Sequence, residues 1–290
     1  MWRLAFICLA SVAAAQSLPE ILSRVSEEAE VFRKVAPQIL SEETFTQRAL
    51  KLPRHLHLRL GAAAAKTPVP DWQTREIVSE YSFGTFAGSG SLHEFRKVIS
   101  VDGRSISRPA SARHSLVLGL KSADDRARKR MLEDFQKYGL STAVVDFGPL
   151  ILLFTRTQEG NYRFQPAGEA RIGADQVRIV SYAQTSGPDR MLVFQGHRAI
   201  HQPIHGLIFA RVPDGLPLRI TIVESRSDGK NTLRDEAAVD YTLNAHGFLA
   251  PVAVTHKGYA DGQLIVEDRF LYTPFRKFSA DAEIKFDTVP

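Results

Sequence analysis

The chain holds almost no cysteine: one in 290 residues, Cys8, close to the N-terminus. It also lacks any apolar run of the roughly 20 residues that a membrane-spanning helix needs. It has little surplus of either charge, with 37 Lys and Arg against 32 Asp and Glu, a net +5. The basic residues are dispersed among acids; Lys121 to Lys137 also contains Asp124, Asp125, Glu133 and Asp134. That interleaving argues against a nucleic-acid partner. Catalytic signatures are missing as well. Gly88-Ser89-Gly90-Ser91 does not have the spacing of a nucleophile elbow and reads as a turn. Gly229-Lys230 has no glycine five positions earlier, so there is no phosphate loop.

What is present begins with a targeting pattern. Met1-Trp2-Arg3 leads into the apolar stretch Leu4 to Val12, and Ala13-Ala14-Ala15 precedes Gln16. A short positive region, an apolar core and small residues at a cleavage point make Met1 to Ala15 read as a signal peptide. Cys8 lies in mid-run behind Ala5-Phe6-Ile7, which is not the small-residue, end-of-run setting of a lipidated cysteine. The expectation is therefore an exported, periplasmic or secreted protein without a transmembrane segment after cleavage. Its mature part, residues 16–290, would be a single β-rich domain with no thiol. Disulfides, zinc thiolate sites and cysteine nucleophiles are then excluded. Such a domain must rely on its hydrophobic core, and 44% hydrophobic against 24% charged residues is an ordinary globular composition.

From Leu18 to Ala36, Ile21, Leu22, Val25, Ala29, Phe32 and Val35 recur at helical spacing before Pro37, which predicts an amphipathic helix. Thr44-Phe45-Thr46 suggests a first strand within Ser41 to Lys51. Alternation predicts further strands over Thr74 to Phe86, with Ile77, Ser79, Tyr81 and Phe83 on one face, and over Leu92 to Val101. One internal helix is expected from Ser122, as a cap, to Tyr138, with Ala127, Met131, Phe135 and Tyr138 as its stripe and Arg126 to Arg130 on its solvated side. Leu150-Ile151-Leu152-Leu153-Phe154 reads as a strand buried on both faces. Alternating segments follow around Tyr162, Val177, Leu192, Leu207, Leu218, Val239, Val252, Leu264 and Phe270, punctuated by turns such as Pro213-Asp214-Gly215 and Asp261-Gly262. Connections this short force antiparallel neighbours. The fold class expected is α+β, mainly β: a curled antiparallel meander with an N-terminal amphipathic helix and one internal helix.

That layout resembles the lipoprotein-carrier fold of the bacterial periplasm, a half-barrel with helices on its concave side. The local likeness lies in His205-Gly206-Leu207-Ile208-Phe209-Ala210-Arg211 followed by Leu216-Pro217-Leu218-Arg219-Ile220. Phe95 to Gly103 is similar to a segment found in secreted soil-bacterial proteins of unknown function. The resemblance implies a fold and an apolar ligand, a lipid or acyl chain, and supplies no catalytic residue.

The nine histidines are the first candidates for metal chemistry. His197, His201 and His205 are four apart, but Gly196, Pro203 and Gly206 exclude a helix. On one strand the three would span roughly 27 Å at about 3.4 Å per residue, too wide for one ion. His93-Glu94 lacks a second histidine, and His55 and His57 read as surface or satisfied core positions. Glu42-Glu43 and Asp235-Glu236 read as solvated strand starts. No cofactor and no catalytic or metal-binding residue is expected. Three functions are left: a non-enzymatic carrier for a lipid-like ligand, an envelope interaction module with a filled core that meets another protein, and a hydrolase whose site is assembled from distant residues. The inside of the sheet separates them: a large apolar hollow, a filled core, or a cleft with converging His and carboxylates.

Overall fold

The computed structural model describes residues 17–51, 69–87, 90–122, 124–141, 143, 146–186, 203–227 and 232–278. The leader, His55, His57, His197, His201, Gly88-Ser89, the segment Leu192 to Phe194 and Asp228-Gly229 lie outside the described residues.

Helix α1 (Leu18–Val35) starts where Pro19 suits the first turn and Glu20 accepts the Ser17 N–H at 2.7 Å. Ile21, Val25, Ala29 and Phe32 form its buried stripe. Arg33 and Lys34 complement its C-terminus, and a short 3₁₀ turn at Ala36–Gln38, with Pro37, ends it.

Among the described residues, twelve strands build one sheet: β1 (Ile39–Lys51), β2 (Asp71–Thr85), β3 (Leu92–Val101), β4 (Arg104–Ser105), β5 (Tyr162–Ile172), β6 (Asp175–Gln184), β7 (His205–Arg211), β8 (Pro217–Ser227), β9 (Thr232–Leu243), β10 (Leu249–Ala260), β11 (Gln263–Tyr272) and β12 (Arg276–Lys277). The spatial order is 4-3-2-1-11-10-9-8-7-6-5, with β12 on the end of β1, and every pairing is antiparallel. The chain runs outward from β1 to β4, crosses over, and returns from β5 to β11 beside its starting strand. The sheet is curled and unclosed, as the sequence predicts. The segments around Leu264 and Phe270 are one strand, β11.

The crossover departs from expectation in two places. It carries two helices, α2 (Pro109–Lys121) and α3 (Asp125–Gln136), not one. Ser122 does not cap the second: its N–H bonds Leu118 O and ends α2, while Asp124 caps α3 by accepting the Arg126 N–H. Helix α2 is weakly patterned, burying only Ala112 and Leu116. Its Gly119 is spaced for contact, since a Cβ there would lie 2.7 Å from Met131 Cε on α3. Of the basic cluster, Arg126, Lys129 and Arg130 are exposed as expected. Arg128 turns back to bond Leu120 O and Ser122 O.

The second departure is the apolar run. Leu150 to Phe154 belongs to a 3₁₀ segment, Gly148–Phe154, not to a strand. Uniform apolarity reports burial on all sides and cannot distinguish a strand from a tight helix. Pro149 also removes a donor that a central strand needs. The Tyr241 hydroxyl instead serves this backbone, donating to Gly148 O at 3.0 Å and accepting from Ile151 N at 3.1 Å.

Helix α1 and the 3₁₀ segment fill the concave face. Phe32 packs edge-on against Phe83 at 5.3 Å, and Phe154 against Tyr182 at 4.9 Å. Helix α2 covers the opposite face of β2 and β3 through Leu116 and the Arg113–Glu80 ion pair. Helix α3 wraps the β3 side, with Met131 in the small outer cluster with Phe95 and Phe135 in the main core. At the far edge, β5 carries Pro166 and a bulge at Gly168, devices that blunt an unpaired strand.

Candidate functional site

Register turns the inner face into rows that cross the strands. One row runs Ile77, Phe45, Phe270, Val254, Val239, Ile220, Ile208, Val180, one residue from each of eight neighbouring strands. All eight are at most 2% exposed, so this row is the spine of the core. Phe45 and Phe270 stack with centroids 4.5 Å apart.

Two residues along β1 from Phe45, in one direction, the inner face is charged. Arg96 donates to both oxygens of Glu43 and to Glu94 Oε2, each at 2.7 Å. Its guanidinium lies over the rings of Tyr81, Phe135 and Phe270 at 4.8–5.3 Å. Glu94 also accepts from the Tyr81 hydroxyl and the backbone N–H groups of Asp146 and Gly148. Burial pushes the Glu43 carboxyl up against the pull of Arg96; burial also opposes the Arg96 charge, but the two carboxylates outweigh it and hold the guanidinium protonated. These side chains are at most 2% exposed and tie the start of the 3₁₀ segment to β3. With no route to solvent, the triad is structural.

In the other direction the next row is a hydrogen-bonded chain. Gln47 Oε1 accepts the N–H groups of Leu140 and Ser141, and its Nε2 donates to Asp268 Oδ1 at 3.0 Å. Asp268 Oδ2 meets His256 Nδ1 at 3.1 Å, and His256 Nε2 meets Asp235 Oδ1 at 3.0 Å. Burial opposes a charge on His256, but hydrogen bonds to Asp235 and Asp268 outweigh it and raise the pKa to about 9. The ring is thus an imidazolium with both nitrogens donating, stacked on Phe147 at 5.3 Å. It has no lone pair with which to act as a base.

One row further out the strands contribute Ala49, Val266, Gly258 and Asp235. Three small or short apolar residues in succession leave a trough, and a cavity of about 320 Å³ opens there. Leu50, Leu233 and Ile265 add to its apolar wall, and Lys51, Ser141, Asp235 and His256 supply polar groups. Gly258 lies buried within β10 beside a bulge; a Cβ there would meet Val266 Cγ1 at 2.6 Å and Asp235 Oδ1 at 3.3 Å. A mid-strand glycine of this kind marks close approach. Ser141 Oγ is buried and has no hydrogen-bond partner among the described residues. The arrangement can enclose an apolar group against a polar floor.

The structure distributes these candidate residues differently from expectation. Glu43 is fully buried and Asp235 only 12% exposed, so neither is a solvated strand start. Both face inward because their alternation partners, Phe45 and Ala237, belong to the core. His93 bonds Asp146 Oδ2 at 2.9 Å at the β3 edge, and His205 is exposed on β7. On β7, Phe209 lies on the outer face, and Ile208 and Ala210 point inward. Both alternations of β7 are apolar, so period alone could not choose. The sequence reading singles out none of His256, Asp268 and Gln47, although each interrupts an apolar alternation on its own strand.

No protein-family profile matches the chain, and no curated protein matches it. Among solved structures, it is similar to a putative outer membrane lipoprotein-sorting protein domain from Vibrio parahaemolyticus, at 10% identity over 89% of this chain and 92% of that one, with a TM-score of 0.38. It is also similar to a LolA superfamily protein from Nitrosomonas europaea, at 10% identity over 89% and 94% of the two chains, with a TM-score of 0.32. A DUF1329 family protein from Desulfovibrio piger gives 10% identity, the same 89% and 94%, and a TM-score of 0.34. The resemblance read in the sequence, to lipoprotein-sorting proteins, is thus the one that structural comparison returns.

Proposed function

We propose that this is an exported, non-enzymatic binding protein that holds one small amphiphile, an acyl or alkyl chain with a polar end, in the cleft at the β1, β9, β10 and β11 end of the sheet. The observation that carries this reading is the contrast between a concave face filled by α1 and the 3₁₀ segment and the apolar-walled cavity of about 320 Å³ beside it. That volume is at the lower end of ligand sites. At about 30 Å³ for a water-sized unit, it takes on the order of ten such units, one chain of medium length and not several. Both nitrogens of His256 are engaged, which favours binding over hydrolysis at this cleft.

Native mass spectrometry of protein recovered from an exported fraction, followed by lipid extraction, tests the proposal. A single-chain amphiphile is expected to co-purify, and a fluorescent alkyl probe to bind at micromolar concentration. Leu233→Trp at the cleft wall should abolish both. Recovery of the uncleaved chain from the cytoplasm would count against export. If no lipid co-purifies and no probe binds, the filled interior favours the second reading, an envelope interaction module; Val252 and Leu271, exposed on the adjacent strands β10 and β11, then become the surface to test.

A further inference from the structure

The positive surplus of the chain is concentrated in one place. The crossover from β4 to the end of α3, residues 104–137, holds nine Lys and Arg against four Asp and Glu, a net +5. That equals the net charge of all 290 residues, so the rest of the chain cancels. Part of the charge is already committed: Arg113 pairs with Glu80, Arg128 with Asp125 and Lys137 with Asp134. Arg108, Arg126, Lys129 and Arg130 are exposed. The last three share the side of α3 that faces away from its buried Met131 and Phe135.

Exposed apolar residues stand among these cations. Ile106, ahead of α2, is 48% exposed, and Leu118, near the end of α2, is 55% exposed. Leu118 follows the buried Leu116 by two positions, about 200° round the helix, so it cannot turn to the core. Both sit on ordered backbone: the Ile106 N–H donates to Ile99 O at 2.8 Å, and Leu118 O accepts the Ser122 N–H at 3.0 Å. Arg128 reaches Leu120 O and Ser122 O, and Gly119 lies against Met131, which fixes this end of α2 beside α3. Single apolar residues on a surface are ordinary. Here they fall within the segment that carries the whole charge surplus. Arginine and lysine can bind lipid phosphates while their stems lie along the acyl boundary, and a leucine can enter that boundary. A protein partner would need acids fixed at matching positions over about 1,000 Å² or more. Lipid head groups move laterally and need no such match.

We propose that the α2–α3 pair is a docking surface for an anionic bilayer, with Arg108, Arg126, Lys129 and Arg130 on the phospholipid head groups and Leu118 in the boundary beneath them. This surface does not depend on what the cleft binds. Sedimentation of the mature protein with vesicles of phosphatidylglycerol and phosphatidylcholine in equal parts, against pure phosphatidylcholine, tests it. Binding is expected to be at least about tenfold stronger on the anionic vesicles and to fall as salt rises. Arg126→Gln, Lys129→Gln and Arg130→Gln together should lose at least about tenfold, since each basic residue near such a surface contributes roughly fivefold. Leu118→Ser should lose about threefold or more, part of what full burial of a leucine contributes. All four positions are exposed, so urea unfolding midpoints should stay where they are. Leu233→Trp, which blocks the cleft, should leave vesicle binding unchanged; its loss there would assign the vesicle contact to the cleft and overturn the docking surface. Equal binding to the two vesicles, or a triple variant that binds like the wild type, overturns it too. Binding that needs the three charges but ignores Leu118→Ser overturns the bilayer assignment and leaves a basic surface for an acidic protein.

Discussion

The two ends of the sheet solve the same burial problem with different chemistry. On β1, β3 and β9 to β11 the inner face carries a buried ion triad and the hydrogen-bonded chain from Gln47 to Asp235. On β5 to β8 it carries Tyr162, Tyr182, Ile208 and Ile220, with Phe154 of the 3₁₀ segment packed against Tyr162 and Tyr182, and the Tyr182 hydroxyl bonds the Thr221 carbonyl. An apolar wall loses stability in proportion to the volume removed. A buried charge network tolerates nothing until a partner goes, and then fails by the desolvation cost of what remains. The end that holds the cleft is the one built from charges, which fix side-chain positions where an apolar wall would let them drift.

Removing Arg96 should break that comparison open most widely. Arg96→Met keeps the bulk but strands Glu43 and Glu94 without their cation, and the expected loss is about 3–5 kcal/mol. Equilibrium urea unfolding measures it; a loss below about 1 kcal/mol would mean that the triad is not the rigid element described here.

The next effect is a pH dependence confined to the same end. The His256 pKa of about 9 in the folded chain stands above its ordinary value of 6.5. Its contribution is complete below the unfolded value of about 6.5 and disappears as pH rises through about 9, an amount of order 3 kcal/mol. Unfolding free energy should therefore fall between pH 7 and pH 10, and His256→Gln should flatten that slope. A wild-type profile that stays level over this window contradicts the imidazolium.

In the apolar end a comparable probe is gentle. Ile220→Val trims one methylene from the spine row and should cost about 0.5–1.5 kcal/mol, with no change in pH profile. A larger loss would show that the apolar end is as brittle as the charged one.

How much of this was legible follows the same division. Strands β2, β3 and β8 to β10 appear where alternating segments predict them, β11 as one strand in place of two, and α1 where its stripe predicts it. Period fails where residues are apolar on both phases, as in β7, or on all, as in Leu150 to Phe154. It fails differently at the charged end. Glu43, Glu94, Arg96, His256 and Asp268 stand at core positions of their strands, and a polar residue there is indistinguishable, one strand at a time, from a solvated one. Only the register that brings Gln47, Asp268 and His256 side by side shows that each is another's partner. A site assembled across four strands from single residues leaves no spacing to find.

The smallest effect lies at the rim of the charged end, where His93 and Asp146 meet. Asp146 adopts φ 69°, and its carboxylate accepts the Glu94 N–H at 2.7 Å and His93 Nδ1 at 2.9 Å. Its own N–H returns to Glu94 Oε2, so this contact latches the β3 edge to the start of the 3₁₀ segment. The hydrogen bond to Asp146 raises the His93 pKa above its usual value, ahead of partial burial, which works the other way. Because the folded value is the higher one, the latch contributes fully below about pH 6.5 and weakens as pH rises through the folded pKa. His93 is 26% exposed, so solvent and salt screen the pair, and its effect should be well below that of His256. Amide exchange at Glu94 and Gly148 reads the latch locally: protection is expected to be higher at pH 6 than at pH 8 after correction for intrinsic rates. His93→Gln should erase the difference without touching the alkaline loss assigned to His256. Equal protection at the two pH values would show that Asp146 holds this edge through the backbone of Glu94 alone.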